Sequence, residues 1–229
     1  MGCDIHNTLL AYDREAKKLV DILHRGPTEE EQAILAKVKK LKDQKLEALA
    51  EEREKNSGKD QLAIWPKDAI KKIEAKIWTE SAKLPMYEDL EAPEPRVPEV
   101  FFEPFFDGRS YDFFSLFGVR GSSEYEIFDS RTKYGKPNAI PWLLDDCHSF
   151  QTFKASVLER DFKDIMKRMA MDISKKLYDD KGYAKDLQHL YGMVCEAKQK
   201  LANWQSALAG AADGKYEPGT LELGIWFDS

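Results

Sequence analysis

The first apolar segments of the chain are short and flank a charged turn: residues 2–12 (GCDIHNTLLAY) and 18–24 (KLVDILH) lie on either side of Asp13-Arg14-Glu15. That pattern predicts a β-hairpin. Gly26-Pro27 then stops extended structure, and Thr28-Glu29-Glu30-Glu31 opens a helix. Thr28 can cap it, Glu31 completes a capping box three residues on, and the acids meet the positive end of the helix dipole. Ile34, Leu35, Val38, Leu41, Leu46 and Leu49 form its apolar side, and Asn56-Ser57-Gly58 ends it beyond Lys55. A second amphipathic stretch follows from Pro66, with Ile70, Ile73 and Ile77 on one face. Together they predict a helical hairpin, densely charged outside and thinly apolar inside.

Pro85, Pro93, Pro95 and Pro98 make residues 84–98 an extended linker. Val100–Phe106 turns apolar again, but Pro104 lacks a ladder donor, so an edge strand or an irregular segment is expected there. Asp107-Gly108-Arg109-Ser110 reads as a turn, Tyr111–Val119 as a short aromatic helix, and residues 121–151 as loop-rich. Next, Phe153, Val157, Phe162, Ile165, Met169, Ile173 and Leu177 recur at helical spacing behind Thr152 as cap. Leu187, Leu190, Val194, Ala197, Leu201, Trp204 and Leu208 alternate threes and fours, the pattern of a helical seam. Asp179-Asp180-Lys181-Gly182 turns between these two helices, and Leu221–Asp228 (LELGIWFD) predicts a terminal strand.

These elements predict an α+β fold: a small, mainly antiparallel sheet formed by both chain ends and the middle, with two long helical hairpins. Residues 1–27 and 84–229 would form the core, including a helical hairpin at 152–209. Residues 28–83 would form an inserted, charged helical hairpin.

Composition narrows the function classes. With 42% hydrophobic residues the chain can build a true core, while 33% charged residues suit long solvated helices. The net charge is −6 and Lys and Arg are mixed with Glu and Asp, which disfavours a nucleic-acid partner. Three cysteines without C-x-x-C spacing (Cys3, Cys147, Cys195) suggest a reducing cytosol rather than a disulfide framework. No apolar run reaches the length of a membrane span, so no membrane association is expected. Met1-Gly2-Cys3 opens like a lipidation signal, but His6 occupies the usual Ser/Thr position.

A repeated triplet carries the clearest chemistry. Asp4-Ile5-His6 opens the first strand, and Asp146-Cys147-His148 precedes Thr152. A two-residue step puts both side chains of each pair on one face of an extended chain. Carboxylate beside imidazole suits divalent-metal ligation or acid–base work. Asp4, His6 and His148 are therefore the candidate catalytic residues, and Asp4, His6, Asp146, His148 and Asp228 the candidate metal ligands. Period two in the terminal strand sets Trp226 and Asp228 on one face and Ile225 and Phe227 on the other. Arg109 and Arg120 surround the aromatic helix, and guanidinium forks hold carboxylate or phosphate. Cys147 adjoins His148 but points to the opposite face in an extended chain, and Cys195 falls near the helical seam.

Met1-Gly2-Cys3-Asp4-Ile5-His6, Asp107-Gly108-Arg109-Ser110-Tyr111-Asp112-Phe113-Phe114 through Val119-Arg120, Trp142 with Asp146-Cys147-His148-Ser149 and Thr152, and Ile225-Trp226-Phe227-Asp228-Ser229 occur in that order. The ordered set resembles a family of small proteins from tailed phages and prophages. The resemblance covers roughly a third of the chain; Leu10 stands where the family often has a glutamate. It implies a phage protein acting in the cytoplasm of its bacterial host, and one shared polar site. Asp107, Tyr111 and Ser149 join Arg109 and Arg120 there as candidate ligand-binding residues.

Two function classes follow. In the first, the His/Asp/Arg site binds or hydrolyses a phosphorylated, nucleotide-like small molecule, with a divalent metal ion as possible cofactor. In the second, the protein inhibits a host defence system or host enzyme by protein–protein contact through its helical hairpins. The seam at 187–208 also leaves room for a homo-oligomer.

Overall fold

A computed structural model of the chain describes residues 5–55, 68–94, 96–106, 110–118, 124–127, 131–134, 140, 142 and 148–227. The chain divides into two compact units, Gly26–Leu90 and the remainder, Met1–Arg25 with Glu91–Ser229. The fold is α+β, with two pairs of packed helices and an antiparallel sheet. Among the described residues, no helix is long and apolar enough to cross a membrane.

The smaller unit is a helical hairpin. Helix α1 (Glu29–Lys55) opens on a reciprocal capping box: Thr28 N donates to Glu31 Oε2 at 2.7 Å, and Glu31 N donates to Thr28 Oγ1 at 3.3 Å. Helix α2 (Asp68–Ser81) runs back along it. Val38 and Ile70 are fully buried between them, whereas Leu46 and Trp78 remain 64% and 78% exposed. Charge supplements this thin core. Lys37 and Lys83 both donate to Glu80, at 2.7 and 2.8 Å, and these two lysines hold its carboxyl below the usual range.

In the larger unit, β1 (Ile5–Asp13), β2 (Lys18–Asp21), β3 (Arg131–Tyr134), β4 (His148–Lys154) and β5 (Glu222–Phe227) form one sheet in the order β2-β1-β5-β4-β3. Every pairing is antiparallel. The C-terminal strand is therefore central, flanked by the N-terminal strand on one side and β4 on the other. Asp13 shapes the β1–β2 turn by accepting from Glu15 N and Ala16 N, and Lys17 takes the left-handed conformation at φ 50°.

One face of the sheet presents Ile5, Leu9, Ala11, Phe153, Leu223 and Ile225 to the main core. Helices α4 (Ala155–Asp179) and α5 (Lys181–Leu208) cover it, along with a phenylalanine cluster on and before α3 (Tyr111–Phe114). Phe105, Phe113, Phe117 and Phe162 meet mainly edge to face, with centroids 5.5–6.4 Å apart. Trp204 anchors α5 to this cluster, its Nε1 donating to Val100 O at 2.7 Å. The opposite sheet face is buried too: Thr8, Leu10, Phe150, Thr152, Gly224 and Trp226 are all inaccessible.

Several boundaries differ from the sequence reading. Thr152 and Phe153 belong to β4, and the helix begins only at Ala155. Burial on both faces hides that strand. Phe150 and Phe153, three residues apart, fall on opposite faces by ordinary alternation, and Gln151 and Thr152 between them are buried as well, so no apolar–polar alternation marks it. Of the two alternatives for Val100–Phe106 the structure has the irregular segment, opening with a 3₁₀ turn at Glu99–Phe102. Only Asp180 separates α4 from α5, and its side chain caps α5 by accepting from Tyr183 N at 3.0 Å.

Candidate functional site

Three strand ends meet at one corner of the sheet. Ile5 of β1 pairs with Phe227 of β5, which pairs on its other side with His148 of β4. His6 stands one step inward, opposite Trp226. The backbones of His6 and His148 thus flank the end of β5 at neighbouring register positions. Asp4 and Asp228 continue this corner in sequence but lie outside the described residues, as do Asp107, Arg109, Arg120, Asp146 and Cys147. For His148 and Ser149 the backbone alone is described.

The His6 ring is half-buried and stacks on Trp226, with centroids 5.6 Å apart and 17° between the planes. Trp226 in turn stacks on Phe150 at 5.7 Å and 23°. Gly224 makes room for this run of rings. A Cβ there would lie 3.1 Å from Phe150 Cζ and 3.3 Å from Thr8 Cγ2. Tyr111 is half-buried and packs against the phenylalanine cluster. Cys195 is a free, half-buried thiol on α5. Among the described residues no group of three His, Cys, Asp or Glu side chains could hold a metal ion.

The face bearing His6 also carries a pair that the sequence reading missed. Asp21 closes β2 opposite Leu10, so it shares the face of Leu10, Thr8 and His6. Its Oδ1 accepts from Thr8 Oγ1 at 3.0 Å, Leu23 N at 2.8 Å and His24 N at 3.1 Å. Its Oδ2 lies 3.1 Å from His24 Nδ1. A carboxylate oxygen accepts only, so Nδ1 is the donor in this contact. The available signal was an acid three residues before a histidine, just ahead of the Gly26-Pro27 stop.

A second polar cluster lies beside α4, around a cleft of about 250 Å³ lined by Glu124, Tyr125, Arg168, Met171 and Asp172. Tyr125 Oη donates to Asp172 Oδ2 at 2.9 Å, and Tyr183 Oη donates to Glu124 Oε1. Arg168 lies over the Tyr125 ring at 5.4 Å and donates to Glu124 O. Burial and the bond to Asp172 push the Tyr125 phenol strongly upward, and the bond to Glu124 raises that of Tyr183. Both carboxylates are engaged by phenols, an arrangement that ties the hairpin α4–α5 to residues 124–127.

No family model, curated protein or solved structure matches the chain.

Proposed function

We propose that the protein binds, and acts on, a phosphorylated, nucleotide-like small molecule at the sheet corner where β1 and β4 begin and β5 ends. The observation that carries this reading is the meeting of three strand ends, where Ile5 and His148 pair with Phe227 from its two sides and His6 stands one step inward opposite Trp226. Because Trp226 and Phe227 occupy opposite faces of β5, a ligand reaching both histidines would lie around the end of that strand rather than on one face. Two strand spacings separate the flanking backbones by about 10 Å, a span suited to a small molecule lying across the strand end. His6 and His148 supply proton transfer or hydrogen bonds. Arg109 and Arg120 hold phosphate, aided by Asp107, Tyr111 and Ser149. Asp4, Asp146 and Asp228 would complete a divalent-metal site with the two histidines, where the ion would neutralise phosphate charge. The phage-like signature supports action in a bacterial host's cytoplasm.

Calorimetric titration with a panel of nucleoside mono-, di- and triphosphates, with and without added Mg²⁺, tests the reading. His6→Ala combined with His148→Ala should abolish binding while leaving the circular dichroism spectrum unchanged. Loss of fold in that double variant would make the cluster structural.

One observation favours a second reading, partner capture by the smaller unit. Trp78 and Leu46 are large apolar side chains left largely in solvent on its helices. Deleting residues 28–82 would then abolish capture of a host protein and leave the core soluble; retained capture would reject it.

A further inference from the structure

We propose that the cleft beside α4 binds a free α-amino acid, taking its carboxylate on Arg168 and its ammonium on Glu124. The cleft holds opposite charges that do not neutralise each other. Arg168 Nη1 donates to the backbone oxygen of Glu124 at 3.3 Å, and its guanidinium lies over the Tyr125 ring at 5.4 Å. No carboxylate pairs with it among the described residues, although Asp164 and Asp172 stand one helical turn to either side. Asp164 takes Lys167 at 3.0 Å, while Asp172 takes the Tyr125 hydroxyl at 2.9 Å and Lys175 at 3.5 Å. Glu124 has the opposite lack. Its carboxylate accepts from Tyr183 Oη, and among the described residues no cation pairs with it.

One tyrosine keeps these charges apart. The ring of the buried Tyr125 lies under the guanidinium and its hydroxyl holds Asp172, so Arg168 and the acid of the next turn are fixed on different parts of the same side chain. A guanidinium fork with N–H groups to spare binds a carboxylate bidentately. A carboxylate with spare lone pairs accepts from an ammonium. A ligand bearing both signs satisfies both. A lone anion would meet the repulsion of Glu124 and Asp172, and a lone cation that of Arg168 and Lys175. The volume, about 250 Å³, lies below the roughly 300–1,000 Å³ of drug-sized sites, which restricts the ligand to a small molecule. Met171, exposed on the cleft wall, gives an apolar side chain a thioether to lie against. Leucine and methionine have that chemistry.

The full chain, labelled with ¹³C at its methionine methyls, should be titrated with L-leucine, N-acetyl-L-leucine and L-leucinamide at millimolar concentrations and followed by NMR. The Met171 methyl, assigned through Met171→Leu, should shift with leucine, while that of Met86, exposed on the smaller unit, should not. Each capped analogue should bind at least about tenfold more weakly than leucine, since each lacks one charged hydrogen-bonding group. Arg168→Gln should bring leucine down to the affinity of leucinamide and leave leucinamide unchanged. Glu124→Gln should do the same with respect to N-acetyl-leucine. Both side chains are exposed, so the variants should fold, and a cluster that served stability alone would move the unfolding midpoint without touching this discrimination. The proposal is overturned by a Met171 methyl that does not respond to leucine, by equal binding of leucine and its capped forms, or by unaltered discrimination in the two variants.

Discussion

His6 faces Trp226 across the β1–β5 ladder with their rings stacked 5.6 Å apart, so the first strand's imidazole rests on the last strand's indole. Trp226 is 3% exposed and sits on Phe150, which is 2% exposed, whereas His6 is only half-buried. The imidazole is the outer end of a run of rings that crosses three strands. Its orientation is thus set by tertiary packing between the two chain ends.

Replacing Trp226 by Leu keeps an apolar group in place but removes the stacked surface. Stability in urea should fall by about 2–4 kcal/mol, through the cavity left and the lost ring contacts. The His6 ring, no longer held flat, should react faster with diethylpyrocarbonate than in the wild type. Unchanged reactivity would mean that the stack does not position it.

Gly224 gives a sharper test of the same packing. An alanine Cβ would press on Phe150 and Thr8 from inside the sheet, at distances tighter than ordinary contact. Phe150 must then shift against Trp226 in a space with no slack. Gly224→Ala should destabilise by about 1–3 kcal/mol, measured by urea unfolding. A neutral effect would show that the rings can re-pack freely.

How far this arrangement is legible in the sequence depends on how regularly each element meets its neighbours. The threes and fours of α5 read cleanly because Leu187, Val194, Ala197, Leu201, Trp204 and Leu208 all end up buried against one surface. The same rule overreaches in α4: burial stops at Met169, and Leu177 lies 44% exposed near the end of the hairpin, beyond the core. In β4 both faces are buried and two of the buried residues, Gln151 and Thr152, are polar, so the strand shows no apolar–polar alternation and reads as a loop and a helix start. Of the candidate site, the adjacency of β1 and β5 followed from two apolar strands at the chain ends. The Asp21–His24 pair did not, since residues 18–24 read as continuous strand and an acid that turns the chain leaves no mark in hydrophobic periodicity.

Thr8 is fully buried, and its hydroxyl donates to the Asp21 carboxylate. Valine matches its shape but removes the donor. Thr8→Val should cost about 1.5–3 kcal/mol in urea unfolding, the range for a buried hydrogen bond to a charged group. Thr8→Ser keeps the donor and should lose less. Equal losses in the two variants would assign the effect to the methyl group instead.

Tyr216 makes stability sensitive to alkali. Its side chain is 1% exposed, and its hydroxyl has no hydrogen-bond partner among the described residues. Burial first, then the charges of Asp13 and Asp21, push its phenol up to about 12 from an ordinary value near 10. Between those values the folded chain holds a proton that the unfolded chain has released. This contribution is therefore complete below pH 10 and is lost as pH rises through about 12, amounting to about 2–3 kcal/mol. Tyr125, whose phenol is raised in the same direction, adds to the alkaline loss, so one substitution should remove only part of it. Tyr216→Phe should flatten the decline in unfolding free energy above pH 10. At neutral pH it should be neutral or stabilising by up to about 1 kcal/mol, because it deletes a buried hydroxyl that lacks a partner. A destabilised variant at neutral pH, with the alkaline slope intact, would mean that the hydroxyl is hydrogen-bonded in solution.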